Sequence, residues 1–161
     1  MSEHLIELSV NGRRFAERVE ARVTLGDFLR ERLGYTGTHL ACEHGVCGAC
    51  TVMLDGIAVR SCLMFAVQAH GASVTTVEGA AAADGSLNPV QQAMRECHAL
   101  QCGFCTPGVV MTLTSLTQGG RQADEETLLK AMSGHLCRCT GYQGIRKVVA
   151  RIACKTNGER A

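Results

Sequence analysis

The chain contains no tryptophan and only two prolines in 161 residues. Aromatic side chains make up 4% of it. A large aromatic core is therefore excluded, and bound metal is a natural source of the stability that packing does not supply. An excess of charge of one sign is also missing. Sixteen Lys and Arg against 15 Asp and Glu leave a formal net charge of +1, which removes the electrostatic case for nucleic acid or an anionic membrane surface. No uninterrupted apolar run approaches the roughly 20 residues that a transmembrane helix needs. The opening Met1, Ser2, Glu3 and His4 lack the basic-then-apolar pattern of a secretory signal. The expected location is cytoplasmic. What is present suits a globular chain: 46% hydrophobic and 19% charged residues, in a length that fits one domain or two small ones.

Cysteine is plentiful, with ten in all. In a reducing compartment so many argue for metal ligation over disulfides. Eight fall into two sets of four: Cys42, Cys47, Cys50 and Cys62, then Cys102, Cys105, Cys137 and Cys139. The first set has the x4-x2 spacing of a plant-type [2Fe–2S] loop, with a more distant fourth cysteine. Gly45 and Gly48 free the backbone to wrap a small inorganic core, and Ala49 permits close approach. Amide N–H groups can then face sulfur. His44 reads as a solvent-facing loop residue, because four cysteines already suffice.

In the second set Cys102-x2-Cys105 is followed far downstream by Cys137-x1-Cys139. Zinc ribbons favour two intervening residues in both knuckles. The single residue here suits a two-iron core better. Thr106-Pro107 and Thr140-Gly141 each follow a ligand pair and read as helix starts, so two helix N-termini are expected to face this site. Cys97 and Cys154 fall in predicted helices and read as buried thiols.

The first half reads as strand. Residues 5–10 alternate, Asn11-Gly12 marks a hairpin, and a second strand covers 14–19. Thr24 and Asp27 predict a weak capping box for a helix whose Leu25, Phe28, Leu29 and Leu33 share a face, ended by Gly34. Strands at 51–54 and 57–60 flank Asp55-Gly56, and a last one lies near 73–77. Residues 80–87 form an Ala-, Gly- and Asp-rich linker. Helices are then expected from Pro89 behind an Asn88 cap, over 106–117, over 124–133, and from Thr140 to about Cys154. The fold class is α+β. The predicted boundaries are 1–79, the linker 80–87, 88–155, and a tail 156–161.

Three segments, residues 37–51 (GTHLACEHGVCGACT), 100–108 (LQCGFCTPG) and 136–142 (LCRCTGY), resemble the iron–sulfur subunit of molybdenum hydroxylases, the xanthine dehydrogenase and aerobic carbon monoxide dehydrogenase family. The resemblance covers nearly the whole chain and includes all eight cysteines. It implies a β-grasp, plant-type ferredoxin-like domain followed by a four-helix [2Fe–2S] domain. It implies a large partner subunit with a molybdenum–pterin cofactor and a medium one with FAD, assembled as a dimer of heterotrimers. Electrons would pass singly from molybdenum to the Cys102/Cys105/Cys137/Cys139 cluster, then to the Cys42/Cys47/Cys50/Cys62 cluster, then to FAD. The resemblance also implies that Gln101 occupies a pterin-contacting position and that Cys139 would lie close to the pterin. The segment 119–123 lacks the Asn-Pro-x-Pro common in the family, which affects only the local loop.

No Gly-rich dinucleotide loop, Ser–His–Asp arrangement or histidine metal spacing stands out. The subunit is therefore expected to conduct rather than catalyse. A free two-cluster ferredoxin shuttle and a zinc-stabilised interaction module are the alternatives; such shuttles tend to be acidic, which +1 does not match.

Overall fold

The computed structural model describes residues 2–158, with side chains as far as Ala153. Cys154 and the predicted tail therefore fall largely outside the described residues. Five strands form one mixed sheet in the order β2-β1-β5-β3-β4. β1 (Glu3–Val10) and β2 (Arg13–Glu20) pair antiparallel through the Asn11-Gly12 turn, where both residues have positive φ, 51° and 79°. β3 (Thr51–Leu54) and β4 (Ile57–Arg60) repeat this device at Asp55-Gly56, with φ of 49° and 79°. Paired positive φ gives the turn twist that matches a hairpin. β5 (Ser73–Thr75) runs parallel to β1 and antiparallel to β3, so it zips the two hairpins together. It is shorter than predicted, because Val77–Gly79 closes into a 3-10 turn.

Ile6, Leu8 and Val10 alternate inward along β1 and meet Val19, Val52 and Val74. Leu25, Phe28 and Leu29 cover them, but not from a regular helix. α1 (Leu25–Asp27) lasts one turn, capped by Thr24 Oγ1 accepting from the Asp27 N–H at 3.0 Å, and Phe28–Arg32 widens into a π-helical turn. The Leu33 N–H reaches back to the Phe28 carbonyl at 3.2 Å. The wider turn leaves Phe28 and Leu29 fully buried while Arg30 donates to the carbonyls of Thr36 and Thr38, both at 2.8 Å. Single π-turns of this kind concentrate at functional sites, and this one anchors the start of the first cysteine loop.

A second core is helical. α2 (Pro89–Glu96), α3 (Thr106–Thr117), α4 (Glu125–Met132) and α5 (Gln143–Gly158) enclose Val90, Met94, Val109, Leu113, Leu128 and Val149. Asn88 and Gln91 cap α2 reciprocally, and the Asn88 amide donates to the Ala80 carbonyl at 3.0 Å. The chain between the cores is thus tied to the helix it enters. α3 is buried at every position from Pro107 to Ser115. A helix without a polar face must be covered on both sides: the other helices cover one flank and β3 the other. α3 is therefore what joins the two cores.

Candidate metal centres

Both cysteine sets sit in irregular backbone at element ends, where a loop can turn its amides inward. Cys42, Cys47 and Cys50 lie on the loop before β3, and Cys62 on the 3-10 turn Ser61–Leu63 after β4. Glu43, Gly45 and Gly48 all have positive φ, which coils the loop. At Gly45 a Cβ would stand 2.3 Å from Leu63, so the loop lies directly on the Cys62 turn. Ser61 fixes that turn by donating its N–H and its hydroxyl to the Cys50 carbonyl, at 3.3 and 2.8 Å. The N–H groups of Cys47 and His44 donate to Cys42 Sγ at 3.3 and 3.4 Å and draw its thiol down to about 6. Burial, then the neighbouring Cys50 thiol, pushes Cys62 up to about 11. His44 is exposed, as its loop position predicts.

In the second set, Cys105 is the N-cap of α3 and Cys102 lies just before it, while Cys137 and Cys139 lie between α4 and α5. The Cys139 and Cys102 sulfurs stand 3.4 Å apart. Burial, then a thiol hydrogen bond to Cys137, pushes Cys105 up to about 12. Burial acts upward on Cys137 as well, but the hydroxyl and N–H of Thr140 outweigh it and its thiol is lowered. The N–H of Phe104, then the Cys139 thiol, lowers Cys102.

The sequence expectation of a helix starting at Thr140 is corrected. α5 begins at Gln143, and Gly141 and Tyr142 occupy the left-handed region with φ of 55° and 64°. Side chains take over the role assigned to that helix end. Thr140 Oγ1 lies 3.0 Å from Cys137 Sγ, and Tyr142 Oη accepts from the Cys137 N–H at 2.9 Å. Tyr142→Phe is expected to cost roughly 0.5–1.5 kcal/mol of stability, the worth of one such bond; thermal unfolding of the loaded protein reads it, and wild-type stability contradicts it. Cys97 is the half-buried C-cap of α2 rather than a buried residue within it.

The Cys102 and Cys139 sulfurs stand 3.4 Å apart, while Cys105 feels both Cys137 and Cys102, and Cys62 feels both Cys50 and Cys42. Four soft thiolates in each set, with N–H groups aimed at sulfur, suit a two-iron core. The residues present fit that group.

The two sets also touch. The Leu136 N–H, next to Cys137, donates to the carbonyl of Cys47 at 2.9 Å. Arg60 donates to the Gly134 carbonyl at 2.8 Å and to Thr51 Oγ1, and Thr51 Oγ1 in turn donates to the Gly48 carbonyl at 2.6 Å. His135 is buried against Gly48, with Nε2 at 2.8 Å from Thr112 Oγ1. Burial, then the Arg60 charge, lowers it to about 4, so the ring is neutral near pH 7. Phe104 stacks on His39 at 4.8 Å and accepts its Nδ1 hydrogen bond at 2.8 Å. The sequence reading missed Arg60, Thr51, His135 and Tyr142. Their partners lie far along the chain or depend on one backbone turn, and neither leaves a motif.

Residues 8–76 match the family model of the 2Fe-2S iron-sulfur cluster binding domain, and residues 76–150 that of the [2Fe-2S] binding domain. The class is therefore an iron–sulfur protein built for two [2Fe–2S] clusters. The chain is 51% identical over 159 residues to caffeine dehydrogenase subunit gamma of Pseudomonas sp. (strain CBB1), covering 97% of this chain and 95% of that one. It is 52% identical over 144 residues to the nicotine 6-hydroxylase small subunit of Paenarthrobacter nicotinovorans, covering 89% and 86%. Quinoline 2-oxidoreductase from Pseudomonas putida 86 superposes with a TM-score of 0.86 at 42% identity, over 99% of both chains. The chain belongs to the iron–sulfur small subunits of the molybdenum hydroxylases, and its function is electron transfer.

Proposed function

We propose that the chain is a non-catalytic conductor placed between a large molybdenum–pterin subunit and a medium FAD subunit. Cys42, Cys47, Cys50 and Cys62 hold one [2Fe–2S] cluster, and Cys102, Cys105, Cys137 and Cys139 the other. The observation that carries this reading is the gathering of eight thiols into two sets, with the Cys102 and Cys139 sulfurs 3.4 Å apart and the N–H groups of Cys47 and His44 aimed at Cys42 Sγ at 3.3 and 3.4 Å. When bound, each cluster supplies a one-electron redox centre. The protein's part is to donate N–H groups to sulfur, bury one side of each site and dock both partners.

Exposure supports the orientation. Gln101, Cys102 and Cys139 are exposed, whereas Cys105 is buried. This edge of the second set faces the pterin, and the first set faces FAD. The layout is a β-grasp domain over 1–79, a linker over 80–87 and a four-helix domain over 88–155, in a cytoplasmic dimer of heterotrimers. An open groove of about 580 Å3 along β1, β2 and β5 is lined by neither cysteine nor histidine. Relatives of matching length are named for caffeine, nicotine and quinoline. The complex is accordingly assigned to oxidation of N-heteroaromatic rings, in a pocket on the large subunit.

Purification from the native source is expected to bring down two larger subunits. Reduction should then develop two distinct paramagnetic signals. A stable solitary chain, or a single signal, overturns the reading.

A further inference from the structure

The two sites are joined by a short stretch of polar contacts centred on Gly48. A Cβ at Gly48 would stand 2.4 Å from His135 Nδ1 and 2.6 Å from the Gly134 carbonyl oxygen, on the Cys137 side of the second set. From the Cys105 side, a Cβ at Gly108 would stand 2.1 Å from the Gly48 carbonyl oxygen. Both arms of the second set therefore rest on Gly48, the first of the two residues between Cys47 and Cys50. His135 Nδ1 is buried there without a hydrogen-bond partner, so the ring is held by packing and by Thr112 alone.

Arg60 spans this junction. It ends β4, two residues before Cys62. One arm of its guanidinium holds Thr51, which follows Cys50 and bonds the Gly48 carbonyl; the other holds the Gly134 carbonyl, three residues before Cys137. A planar fork can make both bonds at once, which an ammonium holds less rigidly. Arg60 is half-buried, so its charge acts on its surroundings with less screening than a fully solvated one. The Leu136-to-Cys47 hydrogen bond lies just past the Gly134 contact.

We propose that Arg60 is the positioning residue for the electron step between the two sites. Its fork holds the Leu136–Cys47 contact in register, and its charge favours the reduced state at both ends. With both clusters bound, the step would move one electron between them with no bond made or broken, and Arg60 would stay cationic throughout. This inference rests on the two-cluster reading.

The test uses the assembled three-subunit enzyme carrying Arg60→Met or Arg60→Lys. In Arg60→Met both clusters are expected to load and both signals to persist. Their mutual magnetic splitting should weaken, both reduction potentials should fall, and freeze-quenched transfer between them should slow severalfold. Arg60→Lys keeps the charge and should restore the potentials, but should restore the splitting only in part. If Arg60→Met leaves splitting, potentials and transfer at wild-type values, or lowers only the melting temperature, the proposal is overturned. If Arg60→Met does not assemble, Arg60→Lys decides: a wild-type splitting and transfer rate refute the fork. Failure of the wild-type enzyme to show two clusters sinks the underlying reading instead, so the two failures are distinguishable.

Discussion

Cys102→Ser in the assembled enzyme is expected to stop substrate-derived electrons before they reach FAD, while FAD reduced from its own side still turns over. Cys102 is exposed and pairs with Cys139 at 3.4 Å, so the two form the outer half of the second site. Under the ligand assignment proposed above, replacing one thiolate by a hydroxyl would leave Cys139 as the sole strong ligand on that side, with a harder oxygen opposite. The first site shares no ligand with this pair, and its signal should survive. Substrate turnover is expected to fall to the level of enzyme lacking the small subunit, with one of two paramagnetic signals lost or broadened. Unchanged turnover refutes the assignment of this site to the route from molybdenum.

Gly108→Ala is expected to act on the whole molecule. Alanine in an open helical position stabilises by about 0.8–1.0 kcal/mol relative to glycine. Here the added methyl would meet Gly48 O at 2.1 Å, Gly48 C at 3.0 Å and Ala49 Cα at 3.1 Å, all backbone atoms. Backbone in a coiled ligand loop cannot swing aside as a side-chain tip can, so the overpacking cost of about 1–3 kcal/mol or more should dominate. α3 would be levered off β3, loosening the contact between the two cores. The denaturant midpoint of the loaded protein should drop, and chelators should strip iron faster. A rise in midpoint contradicts the close approach.

The grouping of eight cysteines into two sets was visible in the sequence, because the spacing of a ligand loop is a local feature. Both hairpins were legible because Asn11-Gly12 and Asp55-Gly56 supply the positive φ that such turns need. The caps at Thr24 and Asn88 were also visible, since a short polar side chain before an apolar run has a local cause. Other features had no local cause. The π-turn at Phe28–Arg32 depends on Arg30 finding carbonyls at Thr36 and Thr38. The late start of α5 depends on Tyr142 reaching back to Cys137. The junction depends on Arg60 meeting Gly134 and on Leu136 meeting Cys47, pairs separated by more than seventy residues. The 3.4 Å approach of Cys102 and Cys139 likewise follows from how the loops close.

Iron, acid-labile sulfide and zinc measured on the same purified complex, alongside its reduced paramagnetic spectrum, test the central claim most directly. The account predicts about four iron and four sulfide per small subunit, two for each cysteine set, with two resolved signals and no stoichiometric zinc. Zinc in place of iron, or iron sufficient for one set only, would contradict it.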